Sequence, residues 1–157
     1  MKLGKWLEQW DMTSLKIKMP FLEMDWAPQD EDKAAAWDLY IELLTRITTQ
    51  PLAQEDGDEV TALESIYSLF PITRQVIKNN GRHCIEFTKI AIVVLNQVVR
   101  PFTAKWHRLS LQKAFTDPQK TVLFRKELEE LQAKLRKYTK MLANMADVED
   151  LTDLEDH

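Results

Sequence analysis

Within NQVVRPFTAKWHR, residues 96–108, an amide, an imidazole and three cations fall close together: Asn96, Arg100, Lys105, His107 and Arg108. Asn96 and Arg100 stand four residues apart, so on a helix they share a face. A fork-shaped guanidinium there takes a carboxylate or a phosphate through two parallel hydrogen bonds. With Lys105 and His107 they make the chain's strongest candidate for an anion or ligand contact. A small-ligand or nucleotide-sensing domain, or a weak hydrolase, is the function that would follow. The competing reading is structural, and we prefer it: Arg100 pairs with an acid such as Glu42 or Glu64 on a neighbouring helix, and His107 hydrogen-bonds at the core margin. Trp106 beside the cations could stack a base, but its four-residue spacing from Phe102 fits a core position better.

Other chemistry lacks its parts. The chain has 3 isolated glycines and no GxxxxGK or GxGxxG run, which removes those routes to nucleotide binding. No serine lies in a GxSxG elbow. Cys84 adjoins His83, but neighbours on a helix point about 100 degrees apart and do not make a thiol–imidazole pair easily. Di-metal carboxylate bundles use Glu-x-x-His, and the chain offers only the reversed His83-x-x-Glu86. EELQAK lacks the second acidic arm of the helical pyrophosphohydrolases that hold magnesium. No catalytic, cofactor-binding or metal-binding residue is therefore assigned, no cofactor is expected, and the reading is of a protein that is not an enzyme.

Composition narrows the class. The 157 residues suit one domain, and 45% apolar content builds a core without disulfides. With 25 acidic against 21 basic side chains the net charge is -4, which disfavours broad nucleic-acid binding. A single cysteine assembles neither an internal disulfide nor a thiolate zinc site, so a reducing compartment fits. Glu8 and Asp11 interrupt the amino end before any apolar stretch of a secretion signal forms. The expected location is cytoplasmic. The longest uninterrupted apolar run here is Ile90 to Leu95, bracketed by Lys89 and Asn96, whereas a bilayer-spanning helix needs about 20 residues, so no transmembrane segment is expected.

Periodicity supplies the elements that must carry these residues. Leu3, Trp6, Leu7 and Trp10 share one side of a short helix, and Leu15, Ile17, Met19 and Phe21 then alternate with Lys16 and Lys18 in the manner of a strand or extended segment. Pro20 confines any strand to an edge, and we favour extended chain laid over the bundle against a hairpin or pairing with a second copy. Asp30 and Asp32 start a first long helix with Trp37, Tyr40, Ile41, Leu44 and Ile47 on its inner face. Asp56 and Glu59 resemble a capping box before a second helix that buries Val60, Leu63, Ile66, Tyr67 and Phe70, kinks at Pro71 and stops at Gly81. A third starts near His83 and bends at Pro101. The fourth opens at Asp117-Pro118 and carries a seam of Phe124, Leu128, Leu131, Leu135, Tyr138, Leu142 and Met145 at alternating spacings of four and three. Arg125, Gln132 and Thr139 beside that seam pair poorly with Glu127, Lys134 and Met141, which argues for packing inside a bundle over a homodimeric coiled coil. Its early glutamates and late cations, Lys134, Arg136, Lys137 and Lys140, match the helix dipole.

The expected fold is thus all-α: a four-helix bundle over residues 30–146 with kinked second and third helices, an amphipathic or extended arm over 1–29, and an acidic tail over 147–157. The tail, DVEDLTDLEDH, reads either as solvated chain or as a short acidic motif that docks on a basic partner. The expected function is a non-enzymatic binding or assembly module with a protein partner or self-association. Its contact residues would be Trp6, Trp10, Leu15, Ile17, Met19, Leu151 and Leu154.

AAWDLYIELLTRITTQPL, ALESIYSLFPITRQVI and VLNQVVRPFTAKWHRL, with FRKELEELQAKLRKYTKMLANMADVEDL behind them, resemble a group of uncharacterised small all-helical bacterial proteins over roughly residues 33 to 152. The resemblance implies a bacterial, intracellular protein that is an accessory part of a defence or conflict system. It implies no activity and no catalytic residue.

Overall fold

The computed structural model of the chain describes residues 1–53 and 58–155. In chain order its α-helices are α1 (Leu3–Gln9), α2 (Met19–Leu22), α3 (Asp30–Leu44), α4 (Glu59–Tyr67), α5 (Leu69–Asn80), α6 (Ile85–Val94), α7 (Arg100–Leu111) and α8 (Pro118–Ala146). A π-helical stretch, Leu95–Val99, joins α6 to α7, and a 3-10 turn, Ala114–Thr116, precedes α8. The protein is all-α; among the described residues there is no strand, only a lone antiparallel bridge between Lys2 and Asp25.

The start of α8 follows from two residues. Asp117 accepts the Gln119 N–H at 2.9 Å, and Pro118 occupies the first helical position, where its missing N–H costs nothing. All seven seam residues from Phe124 to Met145 are buried. The row beside them has a different use from the one weighed for a coiled coil. Arg125 donates to the Ala53 carbonyl at 3.0 Å, Gln132 to those of Ile47 and Gln50 at 2.6 and 2.9 Å, and Arg136 to that of Thr49 at 3.1 Å. One polar ridge of α8 thereby satisfies the carbonyls of the chain that leaves α3, where helical partners run out. Asp147, in the left-handed conformation, closes the helix, with Val148 N–H bonded to Ala143 C=O at 3.1 Å and Asp147 N–H to Asn144 C=O at 3.1 Å.

α3 packs on α8, α5 and α6, but through a face rotated from the expected one. Ala35, Ala36, Leu39, Tyr40 and Leu43 are buried, whereas Trp37 and Ile41 are 44% and 40% exposed. The packed stripe thus includes the two small alanines beside Leu39, Tyr40 and Leu43, and leaves the bulkier Trp37 and Ile41 at its outer edge. On α4, Leu63 and Ile66 are buried as expected, while Val60 and Tyr67 stay exposed. Its N-cap is Asp58, which accepts the Thr61 N–H at 2.7 Å; the expected capping residue Asp56 lies outside the described residues. Pro71 sits in the first turn of α5, and the helix boundary comes before it, at Ser68. Gly81 ends α5 with a φ of 81°, a conformation that favours glycine. The next helix starts at Ile85 instead of His83.

The π-helical stretch accommodates Pro101. Arg100 N–H reaches back five residues to Leu95 C=O, and the helical run continues through the proline into α7.

The arm is part of the core. Leu3, Trp6 and Leu7 are buried with Met12, Leu15 and Trp26 in the same apolar cluster as α3 and α8. The Trp6 and Trp26 rings stack at 4.5 Å, and Trp6 Nε1 donates to Asn144 Oδ1 at 2.9 Å. The strand-like alternation of Leu15–Phe21 forms no strand. Leu15 is buried, Ile17 is half-buried, and Met19–Leu22 makes a turn of helix whose Pro20 sits where no N–H is needed. The Lys16 backbone finds its partners in a side chain: Gln97 Oε1 accepts its N–H and Gln97 Nε2 donates to its C=O, both at 2.8 Å.

Candidate functional site

The cationic constellation divides between two packing seams. Arg100 and His107 are seven residues apart and share a face of α7, while Lys105 points about 140 degrees away from Arg100. Arg100 Nε donates to Asn96 Oδ1 at 3.2 Å, and its guanidinium lies over the Phe70 ring at 4.7 Å. His107 meets Tyr67 edge-on at 6.0 Å, and Tyr67 in turn tilts against Phe70 at 6.2 Å. The expected acids are engaged otherwise or stand elsewhere: Glu42 bonds Arg46 at 2.8 Å, and Arg100 packs on an aromatic ring instead of an acid such as Glu64. Lys105 donates to both oxygens of Glu127 on α8, at 2.8 and 2.7 Å. Asn96 and Arg100 are together as the spacing requires, but Lys105 and His107 do not converge on them. His107 is exposed, not at the core margin, and Trp106 is fully buried against Phe115 and Phe124.

The expected partner contacts divide by burial. Trp6 and Leu15 face the chain's own core, which corrects the expectation that they present a docking face; Trp10 and Ile17 are half-buried against the same core. Met19, Leu151 and Leu154 are exposed, at 64%, 38% and 74%.

The acidic tail is seated on its own chain. After the turn at Asp147 it runs back beside α8. Buried Tyr40 accepts the Leu151 N–H at 2.6 Å, and its hydroxyl donates to Asp150 Oδ1 at 3.4 Å. Asp150 also accepts the Thr152 N–H at 2.9 Å and the Thr152 hydroxyl at 2.5 Å. Each oxygen of Asp153 has its own cation, Arg136 for Oδ1 and Lys140 for Oδ2, both at 2.7 Å. Hydrogen bonds from Lys140 and Arg136 hold the Asp153 carboxyl below the usual carboxylate range, and burial pushes the Tyr40 phenol up. Neither residue of α8 was singled out from sequence for this role. The signal was present as the cationic end of α8 facing eleven acid-rich residues, but a helix dipole explained the same charges.

A second surface sequence reasoning missed is the groove between α3 and α5, about 510 Å³, whose apolar lining is Trp37, Ile41, Ile72 and Val76. Asp38 and Asn79 also line it, and Asn80 donates to Asp38 at 3.1 Å.

Among the described residues no group of three His, Cys, Asp or Glu side chains is arranged to hold a metal ion, and no helix is long and apolar enough to cross a membrane. The class that fold and surface define is an all-α protein with side-chain-clamped termini. The chain matches no protein-family model, no curated protein and no solved structure.

Proposed function

We propose that the protein is a non-enzymatic helical module whose work is protein binding or self-assembly. The observation that carries this reading is the outer face of α3. Trp37 and Ile41, one helical turn apart, leave 44% and 40% of their surface outside the chain's own core and line a groove with Ile72 and Val76. Large exposed apolar side chains grouped beside polar ones mark protein contacts more than isolated ones do. The proposal includes a four-membered bundle of α3, α4–α5, α6–α7 and α8, bent near Pro71 and Pro101. Its support is the packing of α3 on α8, α5 and α6. It also includes cytoplasmic residence, supported by the single buried and unpaired Cys84, and a protein rather than nucleic-acid partner, supported by the net charge of -4.

The test places a photoreactive amino acid at position 37, and separately at 41, in the producing cell. A protein adduct from either site, whether a second copy or another chain, is the expected result. Adduct-free protein from both sites, with a monomer mass at every concentration, would overturn the proposal. Deleting residues 1–30 is no test, because it removes Trp6 and Trp26 from the core.

A further inference from the structure

We infer that Tyr40, Arg136 and Lys140 form a binding site for an acidic peptide segment of the type Asp-x-x-Asp, filled in this structure by the chain's own Asp150 to Asp153. The Tyr40 ring adjoins that of Trp37 at 5.9 Å, but the contacts argued below are those of the Tyr40 hydroxyl and the α8 cations and do not depend on what Trp37 and Ile41 meet.

The contacts have the pattern of peptide recognition. Two are to main chain: Tyr40 accepts the Leu151 N–H at 2.6 Å, and Arg136 Nη2 donates to the Thr152 carbonyl at 3.1 Å. Two are to side chains three residues apart, Asp150 at the Tyr40 hydroxyl and Asp153 between Arg136 and Lys140. The receiving groups are held in place by the fold. Tyr40 is fully buried on α3, and Arg136 is anchored by its other nitrogen to the Thr49 carbonyl at 3.1 Å. The segment is pre-shaped, because Thr152 folds over Asp150 and is itself buried. Leu154 is 74% exposed and Leu151 38%, so the polar contacts of the site are to the aspartates and the backbone.

The hold on the tail is reversible by construction. The Asp153 side chain is 64% exposed within both of its ion pairs, and exposed pairs are weak and screened by salt. The tail competes through its tether, which gives it a high effective concentration, and not through tight contacts. A cleft of about 760 Å³, lined by Thr49, Gln132 and Arg136 with Asp153 and Leu154, lies beside it and gives an incoming segment room.

The probe is a fluorescein-labelled peptide with the sequence of residues 148–155, VEDLTDLE, followed by fluorescence anisotropy on the full chain. Its binding to the wild type should be weak. On Asp150→Asn/Asp153→Asn, whose own tail no longer competes, affinity should rise by about tenfold or more. Adding Lys140→Gln to that variant should reverse the gain, as should high salt or a peptide with asparagine at both aspartates. Lys140 is chosen because its ion pair is with Asp153, whereas Arg136 also holds the Thr49 carbonyl; Tyr40→Phe is the second variant, and circular dichroism confirms that each variant is folded. Equal affinity for wild type and tail variant, no binding to the folded tail variant, or binding that survives both Lys140→Gln and Tyr40→Phe would overturn the inference.

Discussion

The Asp32 carboxylate, fully buried, accepts the Phe87 N–H at 2.9 Å across 55 positions of sequence and the Gln29 N–H at 2.8 Å within its own helix start. One side chain thus caps α3 and α6 together, and the positive ends of two helix dipoles meet its charge. Asp32→Ala leaves the Phe87 N–H buried without an acceptor. The loss of the cap and of that bond should lower stability by about 2–4 kcal/mol. Asp32→Asn, which keeps one acceptor oxygen, should fall between. Denaturant unfolding of the two variants checks the order, and an alanine variant as stable as wild type would show that the shared cap carries no weight.

Arg100 and Lys105 separate a structural cationic end from a ligand site. Arg100 stacks on Phe70 and bonds a neutral amide, so Arg100→Ala should cost about 0.5–1 kcal/mol, well short of a broken buried ion pair. Lys105→Ala removes an exposed pair with Glu127 and should cost about 1 kcal/mol or less. Thermal melting with and without inorganic phosphate reads both. A phosphate-induced rise in Tm that either substitution abolishes would restore the anion-site reading.

How much of this could be read from the chain depends on the range of each interaction. The seam of α8 was legible because a repeat of four and three needs only one helix and a dry side. The polar row beside it was legible as a row but not in purpose, since the partners of Arg125 and Gln132 are carbonyls more than seventy residues away and no spacing rule points at a backbone acceptor. The inner face of α3 was misread because bulk was taken for burial, when the small Ala35 and Ala36 are fully buried and Trp37 is 44% exposed. Asp32 was legible as a cap of α3 and hidden as a cap of α6. At the candidate site, Asn96 and Arg100 follow from local spacing, whereas the seat of Asp153 depends on the turn at Asp147 sending the tail back along α8.

The pH dependence has a predictable sign at both ends. Asp153 and Asp58 have folded-state pKa values below those of free carboxyls, by bonding to Lys140 and Arg136 and to the Thr61 N–H respectively. Their contributions are therefore complete above about pH 4 and are lost as pH falls through the lowered values. Amide exchange at Leu151 should accelerate in that acid window before the core opens. Tyr138 behaves oppositely: burial raises its phenol, so its contribution is present below about pH 10 and is lost as pH rises. Phenolate absorbance should show one tyrosine that ionises only with global unfolding. Tyr138→Phe removes a buried hydroxyl that has no bonding partner among the described residues and should remove that step without loss of stability.

The clamp of Gln97 on Lys16 makes the arm's attachment divisible into a polar and an apolar part. Gln97 lies within the π-helical stretch, and its side chain supplies both an acceptor and a donor to one backbone residue, as a neighbouring strand would. Gln97→Glu keeps the acceptor for the Lys16 N–H but sets a carboxylate against the Lys16 carbonyl; Gln97→Ala loses both bonds. Because the site is exposed, water replaces much of what is lost, and either change should cost about 1 kcal/mol or less. The arm should stay bound, since Leu3, Trp6, Leu7 and Leu15 remain buried. Amide exchange should therefore quicken at Lys16 while Trp6 keeps its protection. Trp6→Ala, which empties a stacked and hydrogen-bonded position, should instead cost about 3–5 kcal/mol and release the arm. If Gln97→Ala loosens Trp6 as much as Lys16, the glutamine and not the buried indole is what holds the amino-terminal arm to the helices.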